Sequence, residues 1–346
     1  MTAIGTAVPG GPLAQERLWE NFFAGRPGAD RTAERIFRNA GVLRRHAAVN
    51  PLVEDVSGWS TGHRMRRYAA ESLPLGKEAV CGALAAAGLR PEEIGLLAVV
   101  SCTGYATPGL DVHVAADLGM PPDVQRLVIG HMGCYAAIPG LGAVADHVAA
   151  RRRAGVVLCL ELTSLHMQPP TPDRDQVVSH ALFGDAAAAV VVVPGTPPVG
   201  GLEVVDVAAL TDPGTADHMT WNVTDLGFRM GLSSEVPAVL GRHVRGMVTG
   251  LLARHGWRPA DVDAWAVHPG GPRILSTVAD QLDLPDGALD TSVRVLAEYG
   301  NCSSTTVLLV LDALRAAGRP RPGRPAVAMA FGPGLTLYAA LLRATS

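Results

Sequence analysis

Three short segments bring together residue types able to carry acyl-transfer chemistry: a cysteine, a histidine and an asparagine, each near glycine. The first is Val128-Ile-Gly-His-Met-Gly-Cys134. A strand-like run from Arg126 breaks at Gly130, and a helical pattern begins at about Cys134 and runs through Ala137, Leu141, Val144 and Val148. A thiol at a helix N-terminus meets the positive end of the helix dipole and free N–H groups, which predicts a lowered pKa and a thiolate nucleophile. The alternative is a small core residue, since free cysteine is among the most buried types. The second segment is Trp265-Ala-Val-His268-Pro-Gly-Gly-Pro-Arg273, where an apolar strand runs into a Gly/Pro turn, the place where α/β folds expose functional groups. His268 reads as a base or as a core histidine with one hydrogen bond. The third is Glu298-Tyr-Gly-Asn301-Cys-Ser-Ser304, in which Asn301 reads as a hydrogen-bond donor or simply as a helix N-cap. Taken together, a thiolate can accept an acyl group while imidazole and carboxamide N–H groups stabilise an oxyanion or enolate.

The elements that must position these residues follow from apolar runs. Leu96–Cys102, Gly155–Glu161, Ala186–Val193 and Pro325–Phe331 read as buried strands, the last as the final strand of the chain. Ser72–Gly88, Gly109–Gly119, Val236–His255 and Ser303–Ala317 read as helices, and Leu202–Ala209 and Ala264–His268 as further strands. Alternating strands and helices predict an α/β fold with parallel sheets covered on both faces. A Pro/Gly-rich break at Pro194–Gly201 divides the chain into residues 1–200, carrying the cysteine, and 201–346, carrying the histidine and asparagine. The second part loosely echoes the first.

Composition narrows the function. At 346 residues and 48% hydrophobic, the chain can bury a large core in about two domain-sized units. A net charge of −3 gives no general attraction to nucleic acid or anionic membrane. Only Lys77 among the 29 basic residues is lysine, so a phosphate-bearing ligand must be gripped by arginine, for which Arg44 and Arg45 stand side by side in a strand-like piece. Five cysteines without a CxxC pair suggest neither a disulfide framework nor a structural zinc site, and point to a reducing cytoplasm. With no signal-like N-terminus and no charge-free apolar span of about 18 residues, a soluble protein is expected. Gly332-x-Gly334 and Gly76-Lys77 lack the spacing of nucleotide-binding loops.

Gly133-Cys134, His268-Pro-Gly-Gly-Pro, Gly300-Asn-Cys-Ser-Ser304 with the following Val307–Asp312, and Phe331-Gly-Pro-Gly-Leu-Thr336 resemble the signature segments of type III polyketide synthases, the chalcone synthase-like branch of the thiolase superfamily. Leu75-Gly-Lys-Glu-Ala79, Ser101-Cys-Thr-Gly104 with Pro108, and Ala181-Leu-Phe-Gly-Asp185 extend the likeness over nearly the whole chain in order. The resemblance implies a thiolase-like five-layered αβαβα fold of two similar halves, a homodimer, and a buried site reached by a CoA tunnel. It implies Cys134 as acyl acceptor, with His268 and Asn301 binding the malonyl thioester carbonyl. Phe183 matches the gate between tunnel and cavity, Gly332, Pro333 and Gly334 the loop that scaffolds the cavity, and Ser303 lies with them. Arg44 or Arg45 falls where the family grips CoA phosphates. Acyl-CoA and malonyl-CoA are the implied substrates, with no carrier protein, metal or redox cofactor.

Some positions depart from the plant relatives. Met230 takes the place of a second gating phenylalanine, and Trp221 that of a glycine, which narrows the cavity. Cys102 stands where several bacterial members that prime with malonyl-CoA have cysteine, or is a packing thiol. His166 is a proton donor during cyclisation or a wall residue. The rival readings are a ketoacyl synthase III, whose histidine lies in His-Gln-Ala-Asn and not in His268-Pro-Gly-Gly271, a cysteine hydrolase, and a catalytically silent binding subunit.

Overall fold

The computed structural model describes residues 1–197 and 200–345. Pro198 and Val199, inside the break expected between the halves, and Ser346 lie outside the described residues. In the first half the elements run β1 (Ala3–Ala7), β2 (Leu13–Ala14), α1 (Gln15–Leu18), α2 (Arg31–Asn39), β3 (Arg44–Arg45), α3 (Thr61–Ala87), β4 (Ile94–Ser101), α4 (Leu110–Asp117), β5 (Gln125–Gly130), α5 (Ala137–Arg151), β6 (Ala154–Glu161), α6 (Arg174–Leu182) and β7 (Ala186–Val192). In the second they run β8 (Leu202–Thr211), β9 (Met219–Thr224), β10 (Gly227–Leu232), α7 (Val236–Ala253), β11 (Ala264–Val267), α8 (Pro272–Leu282), α9 (Asp290–Tyr299), α10 (Thr306–Ala316), β12 (Pro325–Gly332) and β13 (Thr336–Ala344).

Two large sheets form, ordered β1-β7-β6-β4-β5 and β11-β12-β13-β8, beside the two-stranded pairs β2-β3 and β9-β10. The apolar runs are continuous because both faces of each sheet are covered. Along β6, Val156, Leu158 and Leu160 point into one core and Val157 and Cys159 into another, and in β12 Val327, Met329 and Phe331 alternate with Ala326, Ala328 and Ala330 in the same way. Helices α3 and α4 cover the outer face of the first sheet and α7 with α8 that of the second, while α5 and α10 pack between the sheets against both. The alanine-rich inner face of β12 leaves room for that middle helix layer. Each fully buried Leu or Val contributes about 1.5–3 kcal/mol, so three cores built this way hold five layers together.

The halves repeat one topology. The order β1, α3, β4, α5, β6, β7 recurs as β8, α7, β11, α10, β12, β13, and the second sheet lacks only a counterpart of edge strand β5. Helices α5 and α10 are therefore equivalent, and the 3-10 turns that lead into them, Gly133–Tyr135 and Ser303–Thr305, touch at the middle of the molecule.

The structure corrects the sequence reading in four places. The sheets are mixed: β5-β4-β6 and β11-β12 pair in parallel, whereas β1 and β6 pair antiparallel to β7, and β13 pairs antiparallel to β12 and β8. The last strand is β13, not β12. The β9–β10 hairpin was not expected, because Thr220, Asn222 and Arg229 hide its alternation. Helix α3 starts at Thr61 rather than Ser72, with Ser60 Oγ capping His63 N–H and Pro74 inside the helix; its first turns are rich in arginine, and a proline ordinarily marks a boundary.

Candidate active site

Strand β5 ends at Gly130, and the chain turns through His131 and Gly133, both at positive φ (59° and 78°), before the 3-10 turn that carries Cys134. A side chain at Gly133 would put its Cβ 2.6 Å from Pro333 Cδ, and one at Gly332 would come within 2.9 Å of the Tyr135 ring. The Gly332–Gly334 loop is thus packed directly over the cysteine turn. Cys134 is buried, and helix α5 proper begins only at Ala137. The thiol is not a resting thiolate: burial pushes its pKa up to about 12, with the neighbouring Ser303 hydroxyl opposing the shift and the buried Glu161 carboxylate adding to it. This corrects the expectation of a lowered pKa. Desolvation outweighs the helix end, so the thiol must hand its proton to a base as it attacks.

His268 follows β11, its N–H bonded to Met329 O of β12 at 2.8 Å. It is 1% exposed, and neither ring nitrogen has a hydrogen-bond partner. Burial pulls its pKa down to about 3, so it stands neutral at physiological pH, with one nitrogen to accept a proton and the other to donate. Asn301 is held through its backbone: its N–H reaches Leu182 O at 2.8 Å, and its carbonyl accepts from Gly184 N–H at 3.0 Å, on either side of Phe183. Gly300 has φ 71°, and a Cβ there would meet Leu182 O at 2.7 Å. The Asn301 side chain acts as the cap that one reading of the sequence expected. Its Oδ1 accepts from Ser303 N–H at 2.9 Å, capping the turn into α10, and lies 4.0 Å from Cys134 Sγ, which leaves the amide nitrogen to donate.

Cys134, His268 and Asn301 line one open cavity of about 810 Å³, together with Phe183, Met230, Met219 and Phe331. Behind it lies a pocket of only about 20 Å³, lined by Cys102, Trp221, Ser303, Pro333 and Thr163, which shares Cys134, Phe183, Met219 and Met230 with the larger one. Phe183 and Met230 thus stand at the junction, and Trp221, its Nε1–H donating to Cys102 O at 2.8 Å, fills the inner side. Gly334, at φ 103°, turns the chain into β13.

Three of the expected site residues play other parts. Arg45 is buried, and both terminal nitrogens of its guanidinium are taken up by Gln15 and the carbonyls of His180, Ala181 and Phe183, so it cannot reach a phosphate. Arg44 is exposed but paired with Glu298 and does not line the cavity. His166 donates from Nε2 to Thr103 O at 2.6 Å and accepts the Phe228 N–H at Nδ1, 2.9 Å away. Both nitrogens are committed to backbone, so neither is free to give a proton, and the ring lines neither the large cavity nor the inner pocket. The arginines that do line the large cavity are Arg35, Arg174 and Arg273. Sequence offered a signal for Arg273, which directly follows His268-Pro-Gly-Gly-Pro. Glu161 was passed over as a strand end; it is fully buried and accepts from Cys102 N–H (3.0 Å), Thr103 Oγ1 (2.8 Å) and Ser304 Oγ (2.5 Å). Among the described residues no cluster of His, Cys, Asp or Glu is arranged to hold a metal ion, and no helix is long and apolar enough to cross a membrane.

The histidines give a pH prediction. His166, His180 and His268 are buried and neutral, with pKa values pulled down to about 4, 3 and 3 by burial. The unfolded chain takes up protons at these sites below pH ~6.5 and the folded chain does not, so stability is full above that pH and falls as acid is added, at ~1.4 kcal/mol per pH unit per histidine. Urea unfolding between pH 7.5 and 5 should show this decline, and His180→Phe should lessen its slope by one histidine's share; a pH-independent midpoint would contradict it.

A doubled α/β fold with a buried cysteine, histidine and asparagine converging on one cavity is the thiolase-like arrangement of acyl-transferring enzymes. The chain belongs to the chalcone and stilbene synthase family, whose N-terminal domain matches residues 1–197 and whose C-terminal domain matches residues 204–346, and it is a type III polyketide synthase. It is 39% identical to a 1,3,6,8-tetrahydroxynaphthalene synthase of Streptomyces peucetius subsp. caesius, over 99% of this chain and 92% of the relative. It is 32% identical to an alpha-pyrone synthesis polyketide synthase-like protein of Mycobacterium tuberculosis, over 94% of this chain and 84% of the relative. Among solved structures, the tetrahydroxynaphthalene synthase of Streptomyces coelicolor superposes with a TM-score of 0.92 at 27% identity, covering 100% of this chain and 99% of that one. A polyketide synthase of the brown alga Ectocarpus siliculosus gives 0.91 at 30% identity, covering 99% and 97%.

Proposed function

We propose that Cys134 accepts an acyl starter from a CoA thioester and that His268 and Asn301 then drive extension by malonyl-CoA. As Cys134 Sγ attacks the starter carbonyl, its proton moves to a ring nitrogen of His268; the C–S bond to CoA breaks and the CoA thiolate leaves with that proton. Malonyl-CoA next sets its thioester oxygen against the His268 N–H and the Asn301 amide. Its carboxylate leaves as CO2, the bonding pair moves into an enolate held by the two donors, and the enolate carbon attacks the acyl-Cys134 carbonyl. A C–C bond forms, the C–S bond to Cys134 breaks, and the chain leaves on CoA two carbons longer, ready to reload. After further rounds it cyclises to a pyrone or a phenolic ring. Every step uses side chains and CoA thioesters alone.

The observation that carries this reading is that residues from three separated segments share one cavity, with both ring nitrogens of His268 unpartnered inside it. A histidine kept only for packing would have a protein partner. The test is mass spectrometry of products from purified protein with malonyl-CoA, first alone and then with acyl-CoAs from acetyl to palmitoyl. Cyclic polyketide with matching CO2 release is expected. Intact CoA esters throughout, from folded protein, would overturn the reading.

Arg273 and Arg35 are exposed at the cavity and carry no ion pair among the described residues, whereas Arg174 is held by Asp30 at 2.6 Å, which makes the first two our choice for CoA phosphates. Arg273→Ala should raise KM for malonyl-CoA ~3–10-fold at unchanged kcat, the loss of one charge-assisted contact made equally in ground and transition states. An unaltered KM would remove Arg273 from the binding site.

Edge strand β5 supports the homodimer. Its outer edge is unpaired, and Leu127 and Val128 are 39% and 59% exposed on it, an open template for a second copy. Val128→Arg should shift sedimentation from dimer to monomer; a dimer that persists would place the interface elsewhere. Five free cysteines fit residence in a reducing cytoplasm.

A further inference from the structure

We infer that Arg64, which touches neither cavity, is the positioning residue that fixes the size of the inner pocket, acting through His166 and Trp221; this rests on the polyketide reading of the site. Arg64 lies in the first turns of α3, is 0% exposed, and has no carboxylate among its partners. Its guanidinium instead gathers four carbonyls: Trp59 O at 2.9 Å, Ser57 O at 3.2 Å, Met167 O at 3.1 Å, and Leu165 O. A buried cation without a counter-ion is costly to fold, and a fan of carbonyls is what compensates it here.

Two of those carbonyls, Leu165 O and Met167 O, flank His166, and from His166 the contacts run to the pocket. Its ring stacks on Phe228 at 4.4 Å with a 10° tilt and meets the Trp221 indole edge-on at 5.6 Å, while Phe228 meets Trp221 edge-on at 6.0 Å. His166 and Trp221 also bond to successive carbonyls of one loop, Thr103 O and Cys102 O. The β9–β10 hairpin that carries Trp221 and Phe228 is fastened to the same end of α3: Thr61 N–H donates to Asp225 O, Thr61 Oγ1 to Thr224 O, and Gly227 N–H to Thr61 Oγ1. Gly227 sits at φ 95°, and a Cβ there would meet Arg64 Cδ at 2.6 Å and His166 Nδ1 at 3.0 Å, so the three are packed without slack. One helix end thereby sets both the loop under His166 and the hairpin above it, and Trp221 is held between them against a pocket of about 20 Å³.

Lysine at position 64 keeps the charge but not the planar fork, and its single ammonium cannot span carbonyls on both sides of His166. With Arg64→Lys, CO2 release from malonyl-CoA should stay within ~3-fold of the parent protein, because Cys134, His268 and Asn301 are untouched, while the ratio of the parent product to longer products or products of larger starters falls at least ~10-fold. Trp221→Ala should move products the same way, and Arg64→Lys should add less than ~2-fold on top of it, since both act on one pocket wall. His166→Phe, which keeps the ring stack but loses both hydrogen bonds, gives a milder shift in the same direction and serves if Arg64→Lys fails to fold. An unchanged product distribution in folded Arg64→Lys or His166→Phe overturns the inference, as does full additivity with Trp221→Ala. Failure of the parent protein itself to release CO2 sinks the polyketide reading, and this inference with it.

Discussion

Cys134→Ala protein should fold, bind malonyl-CoA and make no polyketide, with product at least ~10³-fold below the parent. The substitution removes one small buried sulfur from a turn held by its backbone and by Pro333, so the loss of stability should not exceed ~1–2 kcal/mol. Cys102 is not placed to take over: its Sγ lies 3.3 Å from Ser303 Oγ and 3.5 Å from both oxygens of Glu161, and it lines only the small inner pocket, not the cavity that holds His268 and Asn301. His268 and Asn301 remain, and decarboxylation of malonyl-CoA to acetyl-CoA should persist in the variant even though no chain forms. Mass spectrometry of products beside a CO2 assay reads both halves of this expectation. Polyketide from the folded variant would remove Cys134 as the acyl acceptor.

Loss of either enolate donor should act on the other half of the cycle. His268→Gln and Asn301→Ala are each expected to slow CO2 release ~10²–10³-fold, the usual cost of one oxyanion-hole donor. The double variant should fall short of the product of the two, because a lone donor cannot hold the oxygen in line. The two differ in stability. Asn301 Oδ1 caps the turn into α10, so its loss costs ~1 kcal/mol. His268 makes no side-chain hydrogen bond, and its replacement costs little in that respect. Parent-like CO2 release from either variant would mean that the donors lie elsewhere.

Much of the site was legible because its residues announce themselves locally. Cys134, His268 and Asn301 each sit where an apolar run gives way to glycine, a pattern that survives in one dimension. What sequence could not convey depends on burial and on distant carbonyls. The helix-end argument for Cys134 held for position but not for charge, since desolvation is set by residues from all over the chain, Glu161 among them. The pair Arg44-Arg45 looked like a phosphate grip until residues 180–183, far along the sequence, proved to hold Arg45. His166 lost its proposed chemistry in the same way, to Thr103 and Phe228. In the fold, periodicity identified buried strands but not their direction, which is why β7 and β13 were not seen to run antiparallel to their neighbours.

The central claim is that the growing chain is carried on Cys134. The direct measurement is to mix the protein with acyl-CoA or malonyl-CoA, quench in acid within one turnover, digest, and weigh the peptides. An acyl adduct confined to the peptide containing Cys134, absent from Cys134→Ala and discharged when malonyl-CoA is added, is the predicted result. Polyketide formation with that peptide unmodified at every time point, or with the adduct on another residue, would contradict the account.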